Sequence, residues 1–375
     1  MRIGIVLYPT YGGSGVVATE LGKSLASKGH QVHFITYSQP VRLGSFRENV
    51  FYHEVTVSKY PLFEYEPYET VLTSKMVDVV MHENLDILHV HYAIPHASAA
   101  FMAKQILKTH GYNTPIVTTL HGTDITLVGK DPSFEPVISF CINESDAVTA
   151  VSESLKQDTY KHFKTLREIN VIPNFVAQPK KIQRDNNPAR CRYAPQDEFV
   201  LCHISNFRKV KRVQDVLSVF AKVNEKIPSR LILVGDGPER YHLEEMCREL
   251  NLCERVHFVG KIRDTSHVLE FADLFLLPSE TESFGLAALE AMVMGVPVIS
   301  SNTGGIPEVN VQGVTGYLSN VGDVEDMAKN AVHILSDSDR LKTFRENAIK
   351  HAHTFNVESI VSQYEAIYGR LLEEK

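Results

Sequence analysis

The sequence predicts an α/β protein of two doubly wound parallel-sheet domains, facing each other across a cleft. Three observations carry this expectation. The chain has 375 residues, more than one ordinary core organises, which suggests two domains of roughly 150–200 residues. Short β-rich apolar runs alternate with longer helical patterns, the signature of right-handed βαβ units. A polar, proline-containing stretch divides two such series.

The first series consists of RIGIVLY (2–8), QVHFITY (31–37), DILHVHY (86–92), PIVTTLH (115–121) and AVTAV (147–151). The second is FVLCHIS (199–205), RLILVG (230–235), RVHFVG (255–260), DLFLLP (273–278) and PVISS (297–301). These short, β-rich, largely apolar runs read as buried parallel strands covered on both faces. The stretch 174–198 holds three prolines and reads as a linker with one poorly defined helix. The expected division is therefore a Rossmann-like domain over 1–176, a second over 177–354, and a helix over 355–375 that packs back on the first domain.

Composition narrows the function. A net charge of −7, with histidine neutral, argues against a generally basic nucleic-acid surface. The five cysteines are scattered and form no CxxC pair, which points to a reducing cytoplasm rather than a disulfide or zinc framework. No apolar run reaches the length of a spanning helix, and the N-terminus reads as a strand and turn rather than a signal peptide. The expectation is a cytoplasmic protein with no membrane or nucleic-acid partner. A homo-oligomer is compatible with the sequence, which does not set the oligomeric state.

Doubly wound sheets bind ligands at the C-terminal edges of their strands, and the distinctive motifs fall there. PTYGGSG ends the first strand. Gly12, Gly13 and Gly15 precede a helix expected near Val16, where backbone N–H groups could approach an anion. It is neither a Walker loop nor a clean GxGxxG, and a tight strand–helix turn would use the same residues. NFRKVKRVQDV follows the strand 199–205, and Arg208, Lys209, Lys211 and Arg212 could neutralise a diphosphate; a solvated charged loop is the plainer alternative.

ETESFGLAALEAM places Glu282 and Glu290 eight residues apart. With a helix opening around 283–285, the N–H groups of Ser283, Phe284, Gly285 and Leu286 would face a phosphate. The two carboxylates would stand about 12 Å apart along the axis, the scale of a nucleotide sugar. A cap-region acid and an exposed helical acid would give the same pattern. SNTGGIPEV could bring a further glycine-rich edge there. His121 closes the strand 115–121, where it could bond a sugar or phosphate. His89, His91 and His96 lie near it, but no ligand spacing supports a metal, and none is expected. The DSD at 337–339 reads as a capping turn.

ESFGLAALE matches the E-x7-E motif of retaining glycosyltransferases with two Rossmann-like domains (the GT-B fold), the large family that includes sucrose synthases and bacterial mannosyltransferases. VGDGPE, GGIPEV and GYL extend the resemblance over nearly the whole chain. More narrowly, GGSGVVATELGKSLASKGH, HVHYAIPHA, TTLHGTD, SNFRKVKRVQDV and TESFGLAALEAM are similar to the family 4 branch that transfers N-acetylglucosamine from UDP to L-malate in bacillithiol biosynthesis. The resemblance implies UDP-N-acetylglucosamine and L-malate as substrates and retention of configuration; with cationic side chains and helix N-termini to meet the diphosphate and no acidic metal motif, no cofactor and no metal are expected. It implies that Glu290 holds the ribose, Glu282 the donor sugar hydroxyls, and Lys211, the 12–15 loop and the amides of 283–286 the diphosphate. His121 would lie beside the sugar, and Lys261, Ile262 and Arg263 beside the uracil. One position departs from the family: Asn206 stands where an arginine is usual, and Arg208 is the candidate substitute. Ser14, Arg42, Tyr92 and Thr119 are acceptor candidates by their place near strand ends. A membrane-associated mannosyltransferase and a non-catalytic sugar-nucleotide binder remain as alternatives.

Overall fold

The computed structural model describes all residues except Tyr11, Ser45, Phe46, 58–63, 178–187, 195–197 and 375, and leaves the side chains of Leu127, Lys130, Pro188 and Ala189 undescribed. Much of the expected linker at 174–198 thus lies outside the described residues. The chain divides into two units. One comprises Met1–Asn174 with Val357–Lys375, the other Phe175–Asn356.

The first unit runs β1 (Arg2–Val6), α1 (Gly13–Ser27), β2 (Gln31–Thr36), β3 (Val50–Glu54), α2 (Tyr68–Glu83), β4 (Ile87–His91), α3 (Ser98–Thr109), β5 (Ile116–Leu120), α4 (Glu135–Glu144), β6 (Ala147–Ala150), α5 (Glu153–His162) and β7 (Ile169–Val171). Its seven strands pair in parallel in the order β3-β2-β1-β4-β5-β6-β7. Ile3, Ile5, Ile87, Val90, Val117 and Val148 are fully buried, as strands covered on both faces require.

The second unit runs α6 (Pro188–Tyr193), β8 (Phe199–Ile204), α7 (Val213–Asn224), β9 (Ser229–Val234), α8 (Arg240–Glu249), β10 (Val256–Gly260), α9 (Ser266–Leu269), β11 (Leu274–Leu277), α10 (Leu286–Val293), β12 (Val298–Ser301), α11 (Ile306–Val309), β13 (Gly316–Ser319), α12 (Val324–Leu335) and α13 (Ser338–Ala352). Its sheet order is β10-β9-β8-β11-β12-β13, again parallel. One core packs Leu201, Phe220, Leu231 and Leu274 with Met327 and Ile334 of α12. Asp337 caps α13 by accepting from the amides of Asp339 and Arg340 at 3.0 and 2.9 Å, the capping turn expected of DSD.

The last helix, α14 (Val357–Glu373), belongs to the first unit. Glu365 pairs with Lys28, and His30 Nε2 lies 2.9 Å from the same carboxylate. The Tyr368 hydroxyl reaches His89 Nδ1 at 2.6 Å in the interior. Among the described residues no helix is long and apolar enough to cross a membrane, and all five cysteines are free.

Candidate active site

In each sheet the strand order reverses direction at one place, where neighbouring strands send their following loops opposite ways and open a crevice at the strand C-termini. In the second unit that place lies between β8 and β11. Buried Phe207 pins the loop after β8, while Asn206 and Arg208 on either side are exposed. A single turn at Lys209–Lys211 follows.

The Lys211 ammonium pairs with the Glu282 carboxylate on the loop after β11, across 71 residues of sequence. The Ser279 hydroxyl donates to the same Glu282 oxygen at 3.1 Å, and the Glu280 amide donates to the Val210 carbonyl at 2.8 Å. Arg212 leaves the expected cationic cluster: its Nε pairs with Asp215 at 2.7 Å. Lys209 is exposed like Arg208.

The loop after β12 closes over Glu282 from behind. Gly305 donates to the Glu282 carbonyl at 2.9 Å. Gly304 sits at φ +55, and a Cβ there would stand 2.0 Å from that carbonyl oxygen. GGIPEV thus reaches the same edge because a glycine permits the approach.

Helix α10 opens at Leu286, later than the expected 283–285. Gly285, at φ +91, caps it and turns the chain sharply. Ser283 and Phe284 therefore precede the helix, and Phe284 turns its ring inward, edge-on to Phe355 with centroids 5.7 Å apart. The amides at the helix mouth without an intrahelical acceptor are those of Leu286 and Ala287. Helical rise holds only from Leu286 onward, so the expected 12 Å axial spacing of the two glutamates does not apply. Glu290 accepts from the Thr265 hydroxyl at 3.3 Å, which joins it to the segment after β10. There Lys261 and Arg263 are exposed and Ile262 half-buried. Sequence reasoning missed Thr265 and Ser279; for Ser279 the signal was its place just past the strand end at Pro278.

In the first unit the reversal lies between β1 and β4. Helix α1 begins at Gly13, three residues before the expected Val16. Gly15 packs against β1's exit, where a Cβ would meet the Tyr8 carbonyl at 2.4 Å; at Gly12 only the Thr10 hydroxyl, 3.3 Å away, lies close. The Tyr92 hydroxyl donates to Ser14 Oγ at 2.5 Å, and its ring lies 5.2 Å from that of His121. Burial pushes the Tyr92 phenol up to about 12, so it stays protonated and donates. Arg42 is half-buried in the turn beyond β2, where its carbonyl accepts from Lys23 at 3.3 Å.

Thr119 is corrected as an acceptor candidate. Its hydroxyl is buried, 2.7 Å from both His89 Nε2 and Thr149 Oγ1, because its position on β5 points it inward. His121 Nε2 meets His91 Nδ1 at 2.7 Å. Burial holds His89 and His121 down to about 3 and His96 to about 4, and His91 well below its usual range, so the four rings are neutral. Asp124, which the sequence reading passed over, accepts from the Ala93 amide at 2.8 Å and the Gly122 amide at 3.0 Å. It thereby joins the loops that carry Tyr92 and His121. Burial raises its carboxyl to about 6.

The family model for Glycosyltransferase Family 4 matches residues 11–177, and that for Glycosyl transferases group 1 matches 190–351. The N-acetyl-alpha-D-glucosaminyl L-malate synthase of Bacillus anthracis is 48% identical over 100% of this chain and 98% of its own length. The D-inositol 3-phosphate glycosyltransferase 2 of Catenulispora acidiphila is 25% identical over 97% of this chain and 91% of its own. Among solved structures, the sucrose-phosphate synthase of Thermosynechococcus elongatus superposes with a TM-score of 0.81 at 22% identity, covering 100% of both chains. Anabaena HepE in complex with UDP-glucose gives 0.80 at 21% identity, also covering 100% of both chains. The fold is GT-B.

Proposed function

The chain belongs to the GT-B glycosyltransferases of family 4, together with the malate synthase to which it is 48% identical, and on that premise we propose that it transfers N-acetylglucosamine from UDP-N-acetylglucosamine to L-malate with retention of configuration. In this reading it acts in the cytoplasm as the first step of bacillithiol biosynthesis. The observation that carries the donor half is the Lys211–Glu282 pair at the strand-order reversal of the second unit.

The pair sets a cation and a carboxylate acceptor side by side. Lys211 neutralises the diphosphate, with the Leu286 and Ala287 amides adding donors. Glu282 takes the donor sugar's hydroxyls, and Ser279 and the backbone around Gly304 and Gly305 keep it from turning away. Glu290 takes the ribose, and the 261–263 segment borders the base. In this reading Arg208 adds charge where Asn206 offers none.

Glu282 and Glu290 have binding roles here, at opposite ends of the donor rather than as a glycosidase pair, and no other carboxylate stands out as a covalent nucleophile. The malate hydroxyl attacks the anomeric carbon on the face from which UDP departs. The carbon–oxygen bond to UDP breaks as the new one forms, and the leaving phosphate oxygen takes the hydroxyl proton. Lys211 and the helix-mouth amides stabilise the charge that grows on UDP. Arg42, Ser14 and Tyr92 are the acceptor residues of this reading, with His121 beside the sugar.

The test supplies UDP-N-acetylglucosamine with L-malate, D-malate, succinate or inositol phosphate in turn. L-malate should yield glycoside, and succinate, which lacks the nucleophile, should inhibit without reacting. Glycoside from another acceptor and none from L-malate would overturn the acceptor while leaving the donor class. Turnover should persist in EDTA; loss restored by Mg²⁺ or Mn²⁺ would overturn the metal-free chemistry.

A further inference from the structure

Far from the strand ends used above, three potential metal ligands converge at the β3 edge of the first unit's sheet. His33 lies on β2, His53 on β3 and Glu83 at the last position of α2. The parallel register sets Ile35 opposite His53, and His33 opposite Phe51, so the two histidines stand diagonally on one face of the pleat. His33 Nδ1 and His53 Nε2 are 2.9 Å apart. Their ligand atoms and a Glu83 carboxylate oxygen all lie within 4.8 Å of one another.

Packing holds this geometry. His33 is 1% exposed, and Phe51 stacks on its ring with centroids 4.6 Å apart. The other His33 nitrogen, Nε2, is buried without a partner. His53 is half-buried, which leaves the cluster open on one side.

We propose that His33, His53 and Glu83 form a binding site for a borderline divalent cation of the zinc class. Two imidazoles and one carboxylate are a zinc donor set, and a water completes a tetrahedron. Zinc–nitrogen bonds of about 2.0–2.1 Å put two tetrahedral ligand nitrogens about 3.3 Å apart, so the pair opens by only a few tenths of an ångström to admit the ion. Arg2 and Lys75 oppose the ion's charge, while Asp78 and Glu83 favour it. The ion would join the edge strand β3 to the end of α2, which makes the site structural and separate from sugar transfer.

The test titrates the chelator-stripped full chain with Co²⁺, followed by its visible absorption, and competes it with Zn²⁺. The expected result is one Co²⁺ per chain, displaced by Zn²⁺, with affinity at least tenfold lower in His53→Ala and in Glu83→Ala. Zn²⁺ should also raise the thermal midpoint of the wild type and leave that of both variants unmoved. Glycosyl transfer should not change in any of these states. Both substitutions sit at an edge strand and a helix end, and far-ultraviolet circular dichroism checks that each variant folds. Absence of a Co²⁺ band at one equivalent overturns the site, as does a band of wild-type affinity in the two variants.

Discussion

In the proposed reaction, single side chains at the β8–β11 reversal divide binding from rate. Glu290 accepts from Thr265 in the structure, and in the proposed complex it accepts from ribose hydroxyls. Glu290→Ala should weaken UDP binding by about 1.5–3 kcal/mol, the scale of a hydrogen bond to a charged group, with less effect on the transfer step. Calorimetry reads this directly, and unchanged UDP affinity would remove Glu290 from the ribose. In the proposed reaction Lys211 differs, because its partner charge would grow as UDP leaves. Lys211→Ala should therefore lower kcat as well as donor affinity. A rise in KM alone would make Lys211 a uniform binder. Removing Lys211 also leaves Glu282 without its cation, so a Lys211→Ala, Glu282→Ala double variant should lose less than the two single losses added together.

At the scale of elements, the strand exits depend on which glycine lies against backbone. A methyl group at Gly15 would press on the Tyr8 carbonyl at 2.4 Å, whereas one at Gly12 meets only a movable hydroxyl at 3.3 Å. Gly15→Ala should cost about 1–3 kcal/mol or prevent folding, while Gly12→Ala should unfold in denaturant close to the wild type. Both glycines read alike in the sequence, because close approach belongs to the tertiary structure. The same limit explains the helix starts. Small residues at 13–15 read as turn, yet α1 includes them; the apolar run after Glu282 read as helix, yet Gly285's left-handed turn delays α10. The ten strands expected from apolar runs are present; nine are largely buried, and the edge strand β10 is half-buried but still carries an apolar run. The edge strands β3 and β7 have half-exposed residues and little periodicity, and β13 is four residues long, so none stood out. At the candidate site, the strand-end rule pointed to the loops after β8 and β11, which the sheet brings together. It could not show that Lys211 touches Glu282, or that Thr119 points inward, because both depend on side-chain direction at residues brought together by the sheet.

For the whole molecule, buried histidines govern the response to acid. His89, His91 and His96 are almost fully buried, with folded-state pKa values below the ordinary histidine value. The unfolded chain therefore takes up protons first as pH falls below about 6.5, and the stability these groups give at neutral pH is lost toward pH 4. Asp124 acts in the opposite sense, because its raised pKa of about 6 removes a burial cost on acidification. The histidines outnumber it, so each excess proton should cost roughly 1.4 kcal/mol per pH unit. Calorimetric midpoints should fall steadily from pH 7 to pH 5; a flat or rising midpoint would show that other groups dominate. One of these histidines, His89, takes its Nδ1 partner from Tyr368 on α14. That link has a consequence in time. On a ribosome, β4 emerges long before α14, and the whole second unit is synthesised between them. The first unit must therefore wait in an unfinished state, with α1 and the inner strands lacking their final cover, until translation has passed Tyr368. A stall or premature stop in the second unit would release a first unit that cannot close.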